Sequence, residues 1–171
     1  QRMRTRERFI WAALIVAWMG VIFWFSAQSG ENSAALSGGI VEWAAHLIRP
    51  GLDQMPQTER QAFLDSLSFF VRKGAHFSEY AVLGVLLTGF LRTFAWKGWV
   101  RGLTAWGVGT LYAASDEWHQ TFSYGRSPQL GDVCIDSGGV LFGILAMALI
   151  CVIITSICQR SKVKKAEKEN D

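Results

Sequence analysis

Between Ser137 and Gln159 the chain carries no charged residue, and between Phe9 and Gly30 it carries none either. A helix over either run is long enough to cross a hydrocarbon core of about 30 Å at a rise of about 1.5 Å per residue. The bilayer core offers no water to unpaired backbone groups, so such segments close their hydrogen bonds internally as helices. Hydrophobic residues make up 50% of the 171, with eight Trp and eleven Phe gathered into blocks, which points to one all-α, polytopic membrane domain over 1–171.

Two shorter apolar runs complete the plan. Tyr80 to Leu91 is charge-free for only twelve residues, about 18 Å as a helix, so a crossing helix there must recruit polar flanks. The expected span is 73–92. Gly102 to Ser115 is likewise short, which extends the third span to 98–117, with its polar end formed by Ser115-Asp116-Glu117-Trp118-His119-Gln120. With 9–29 and 135–157 these make four transmembrane helices. Arg2, Arg4, Arg6 and Arg8 resemble the basic start of a signal peptide, but Ser26-Ala27-Gln28-Ser29 is a poor cleavage site, so an uncleaved anchor is expected. The sequence opens on Gln1, which leaves room for preceding residues.

The loop 30–72 has helical spacing at Leu36, Ile40, Trp43, Ala44 and Leu47, and again at Phe63, Leu67, Phe70 and Val71. Two amphipathic interfacial helices are expected, separated by a turn at Arg49-Pro50-Gly51. The second, with Thr58-x-x-Gln61 as a capping box, runs on into the second span.

Four spans put both termini on one side. Twelve of the 17 Lys and Arg fall there, including the tail 159–171, and the positive-inside rule makes that side cytoplasmic. Ten of the 14 acidic residues fall on the other side against five basic ones. That balance argues against nucleic acid as a partner; membrane lipids are the expected partner, with the cationic tail meeting anionic headgroups. Cys134, Cys151 and Cys158 have no metal-binding spacing and read as packing residues. Gly139-x-x-x-Gly143 suggests close helix approach.

The polar residues form three groups, all placed at the outer face by this topology. Arg72, His76 and Glu79 share a helix face, with Lys73 and Tyr80 beside it. Asp116, His119 and Gln120 share another if the third helix continues past Glu117. Asp132 and Asp136 are one turn apart, and Arg126 precedes them. Ionisable groups at membrane depth default to function. In one reading His76, Glu79, Asp116, Glu117, His119 and Asp132 do acid–base or nucleophilic work, while Arg72, Lys73, Tyr80, Trp118, Gln120, Arg126 and Asp136 bind substrate. A second reading is a divalent metal held by two imidazoles and two carboxylates. In a third the groups only fix helix register, with Arg126 paired to Asp132 and Glu79 to His119. The chain has no Gly-rich phosphate loop, no H-E-x-x-H and no G-x-S-x-G.

Lys73-x-x-His76-Phe77-x-Glu79-Tyr80, then Ser115-Asp116-Glu117-Trp118-His119-Gln120, then Gly125-Arg126 through Asp132, Asp136 and Gly139 resemble the VanZ-like family, as does Phe25-Ser26-Ala27-Gln28-Ser29. The resemblance implies a four-span protein of the bacterial cell envelope associated with glycopeptide (teicoplanin) resistance, and supplies no reaction. Many members carry Asn where this chain has Asp136, which makes Asp132 the stronger catalytic candidate. Within that setting a lipid-linked peptidoglycan precursor is the expected ligand, its pyrophosphate held by Arg72, Lys73 and Arg126. A non-catalytic membrane adaptor is the alternative.

Overall fold

The computed structural model describes residues 2–27, 30–121 and 130–170, with side chains described over 5–27, 38–121 and 130–162. Its regular structure is helical: α1 (Arg2–Ser26), α2 (Gly30–Ile48), a 3-10 turn (Leu52–Gln54), α3 (Gln57–Leu91), α4 (Gly98–Gln120) and α5 (Leu130–Asn170). Among the described residues there is no strand. Arg126, Gln28 and Ser29 lie outside the described residues.

Three segments are long and apolar enough to cross a membrane, Thr5–Ser26, Gln57–Leu91 and Leu130–Lys162. The fourth expected span, α4, is not among them. Its last turn and a half is Asp116-Glu117-Trp118-His119-Gln120, and Gly, Thr, Tyr and Ser dilute the remainder, so it holds no uninterrupted apolar stretch like those of the other three.

The second amphipathic segment runs on into the second span without a break, as expected. Together they are α3, one helix of 35 residues, about 52 Å long, well beyond the thickness of a hydrocarbon core. Pro56 precedes its first residue, and no side-chain cap bond forms there. The Thr58 box is therefore unused, and Gln61 Nε2 donates to Asp65 Oδ1 at 2.9 Å. The first half of α3 carries α2, through an Arg60–Glu42 ion pair at 3.1 Å and the buried Val41 and Ala45. The apolar stripe of Ile40, Trp43 and Leu47 consequently faces away from α3 and is exposed.

Around the core residues Tyr80, Leu83, Leu87, Ala113, Val140 and Ile144, α3 and α5 run side by side in the same direction. Glycine lets their backbones touch. A Cβ on Gly143 would run into the Ala81 carbonyl, one on Gly139 into the Phe77 carbonyl, and one on Gly84 into the Val140 carbonyl. The Gly139-x-x-x-Gly143 spacing does mark a close helix crossing. Helix α1 runs the opposite way to α3: Arg8 Nη2 donates to the Thr93 carbonyl at 3.1 Å, and halfway along Trp18 Nε1 donates to the Glu79 carbonyl at 2.9 Å. Helix α4 runs back along the α3–α5 pair, held by Tyr112 Oη donating to the Met19 carbonyl at 2.7 Å and by a Thr110–Ser137 hydroxyl pair at 2.9 Å.

Large apolar side chains cover the outside of these helices. Phe9 and Val16 on α1, Leu111 on α4 and Leu145, Leu149 and Val152 on α5 are all exposed, as expected of surfaces solvated by lipid. The cysteines belong partly to this surface. Cys134 and Cys158 are exposed, so only Cys151 packs even partly, because α5 turns most of its circumference outward.

Candidate functional site

The end of α1, the middle of α3, the end of α4 and the beginning of α5 meet at one end of the bundle. Lys73 Nζ of α3 forms an ion pair with Asp132 Oδ1 of α5, both side chains largely buried. One turn further into α3, His76 Nδ1 approaches Glu79 Oε2 to 3.9 Å. Helix α4 continues through Gln120, and this puts Asp116, Glu117 and Gln120 on its inward side, with 4%, 6% and 7% exposure. Gln120 Nε2 donates to Ser26 Oγ at 2.9 Å and to Asp116 Oδ2 at 3.2 Å.

Asp136, one turn into α5 from Asp132, is buried at 3% exposure, and the charges of Asp116, Asp132, Glu117 and Glu79 all act on it. Tyr80 is fully buried, 6.2 Å from the Tyr112 ring, within reach of the Asp116, Asp136 and Glu79 charges. Five carboxyl groups from three helices thus converge, with Lys73 pairing one of them. Such a concentration of one charge at low dielectric requires compensating positive charge or protons. Among the described residues, Asp136 Oδ1 and Tyr80 Oη are buried without a hydrogen-bond partner. These are an acceptor and a donor held ready inside the bundle.

The remaining candidates sit apart from this centre. His119 is half-buried, with its ring tilted against that of Phe23 on α1, centroids 4.5 Å apart. Trp118 is 68% exposed. Arg72, one turn before His76 on α3, is exposed. Asp132 pairs with Lys73, and Arg126, its expected partner, lies outside the described residues. One expected pairing is replaced: the imidazole beside Glu79 is His76, three positions before it on α3, while His119 packs on Phe23. Among the described residues no three His, Cys, Asp or Glu side chains are arranged to hold a metal ion.

Several contributors escaped the sequence reading. Trp18 belongs to an apolar run with no polar spacing of its own, Tyr112, Thr110 and Ser137 read as ordinary span residues, and Ser26 entered only through the resemblance, with no partner assigned. One signal was present. Trp18 lies in the middle of α1, far from the interface at which Trp usually sits. An indole at such depth needs an acceptor, and the Glu79 carbonyl supplies it.

Comparison with known proteins bears on the same residues. A family model described as VanZ/LLP1 matches residues 11–154. No curated protein and no solved structure matches the chain. The matched stretch begins in α1, ends in α5 and takes in every residue of the polar cluster, so the chain belongs to the VanZ/LLP1 family and is a VanZ-like envelope protein.

Proposed function

We propose that this protein crosses a bacterial cytoplasmic membrane four times, with its termini cytoplasmic and its polar cluster at the outer face, and that the cluster binds a lipid-linked envelope component. The case for α4 as the fourth crossing is geometric. Helices α3 and α5 run in the same direction, so the segment joining them must return across the same thickness, and α4 has 23 residues, about 34 Å, to do so.

The observation that carries the binding proposal is the convergence of Glu79, Asp116, Glu117, Asp132 and Asp136 at one buried end, beside Lys73. Maintaining that many carboxyl groups against an apolar core costs stability, and function is the usual reason that cost is retained. The ligand class follows from the family and its setting: a peptidoglycan precursor on a lipid carrier, whose sequestration or presentation would raise tolerance to teicoplanin. Arg72 at the rim is placed to meet phosphate, and Arg126 is assigned the same role. Binding is the activity proposed; no reaction is assigned.

The test is a binding assay with a lipid-linked peptidoglycan precursor and the purified protein in nanodiscs. Glu79→Gln and Tyr80→Phe should weaken binding while leaving the melting temperature near wild type. A second reading, a membrane adaptor whose cluster is structural, is favoured by one observation, the Gln120–Ser26 and Lys73–Asp132 links that tie α1 to α4 and α3 to α5. On that reading the same substitutions lower stability first, and any activity only in proportion.

A further inference from the structure

At the opposite end of the bundle the first helix makes a second built arrangement. Arg8 Nε donates to Thr93 Oγ1 at 3.2 Å and Nη2 to the Thr93 carbonyl at 3.1 Å. The guanidinium carbon lies 4.2 Å from the centre of the Phe94 ring, which itself packs on Phe90 and Trp96. Thr93 Oγ1 is fixed in turn by donating to the Phe90 carbonyl at 2.8 Å. Beside this group is a cleft of about 210 Å³ lined by Glu7, Arg92, Thr93, Phe94 and Ala95.

A guanidinium has five N–H donors in a fixed fork, and the Thr93 contacts use two of them. The others are held in orientation by those contacts and by the ring, so little side-chain freedom is left to lose on binding an anion. Depth in the bilayer is set by sequence. Arg8 directly precedes the charge-free run that starts at Phe9, and exposed Phe9, Trp96 and Trp99 mark the level at which aromatic rings meet headgroups. Charge narrows the ligand: Arg8 and Arg92 against Glu7 leave one net positive charge at the cleft. That balance suits a singly charged phosphodiester and disfavours a phosphomonoester dianion.

We propose that the Arg8–Thr93–Phe94 group and its cleft form a binding site for the phosphodiester of an anionic phospholipid, with Arg8 as the pre-set donor and Arg92 as the second cation. It is independent of the polar cluster. The bilayer supplies the ligand locally, and the exposed aromatic rings give its acyl chains a surface to lie on.

The experiment is thermal unfolding of the purified full chain in a neutral detergent, titrated separately with phosphatidylglycerol, phosphatidylcholine and inorganic phosphate. Phosphatidylglycerol should raise the melting temperature saturably, and the other two should not. Arg92→Gln leaves both Thr93 bonds in place, and should move the phosphatidylglycerol midpoint about tenfold upward. Arg8→Gln should abolish the saturable rise, whatever it does to the starting melting temperature. Arg49→Gln, exposed on the turn after α2 and far from this cleft, should leave the midpoint unchanged. Equal stabilisation by phosphatidylcholine or by inorganic phosphate would overturn the assignment, as would an unmoved midpoint in both Arg8→Gln and Arg92→Gln.

Discussion

Gln120, the last residue of α4, donates its side-chain amide to the hydroxyl of Ser26, the last residue of α1, at 2.9 Å across 94 positions of sequence. Both side chains are buried, and the same amide nitrogen also reaches Asp116. The bond therefore couples the end of the first helix to the acidic motif of the fourth. Ser26→Ala should cost about 1 kcal/mol, because Gln120 keeps Asp116 as an acceptor. Gln120→Leu removes the donor from two buried acceptors and should cost about 2 kcal/mol. Unfolding in detergent that ranks the two variants the other way would show that the amide is not the connecting group.

The Lys73–Asp132 pair makes a similar link between α3 and α5, with a charge on each side. Lys73→Met leaves the carboxylate largely buried beside other acidic groups, so the single variant should lose about 2 to 3 kcal/mol. Adding Asp132→Leu should restore most of that loss. A double-mutant cycle measures the coupling directly, and additive effects would mean the two side chains do not depend on each other.

Close helix approach predicts a contrast between neighbouring glycines. Gly143→Ala places a methyl group against the Ala81 carbonyl, backbone that cannot rotate aside, and should cost about 1 to 3 kcal/mol or more. Gly138→Ala meets only the edge of the Phe77 ring at 3.8 Å, an ordinary contact, and should be near neutral. Melting temperatures of the two variants check this, and equal losses would contradict the packing described.

Topology can be read chemically. In a background with Cys134, Cys151 and Cys158 replaced, a single cysteine at Ala95 should react with a membrane-impermeant thiol reagent only after the cells are opened. One at Thr121 should react in intact cells. Labelling of both from one side would remove α4 as a crossing helix.

The apolar runs were legible because charge-free length is a direct consequence of the bilayer's thickness, and α1, α3 and α5 lie where those runs predicted crossing helices. The continuity of helix through Lys73 was legible as well. Residues 57–72 are polar enough to leave the membrane yet keep helical spacing, so α3 continues without a break and α2 packs on its extension. At the site, shared helix faces brought Asp116 to Gln120 and aligned His76 with Glu79, since these depend only on the period of the helix. Pairing between helices was not legible. Whether Asp132 meets Lys73 or another cation depends on the register of α3 against α5, and that register is set by Gly84, Gly139 and Gly143 touching backbone, not by the charges themselves.

The central claim is that the buried acidic end of the bundle binds a lipid-linked envelope component. Its most direct test is the equilibrium affinity of the nanodisc-embedded protein for a lipid-linked peptidoglycan precursor, measured for wild type and for Glu79→Gln, which neutralises one largely buried carboxylate with little change in shape. The account predicts saturable binding to the wild type, weakened about tenfold or more in the variant at an unchanged melting temperature. Equal affinity in the two proteins, or no saturable binding to the wild type, would contradict it.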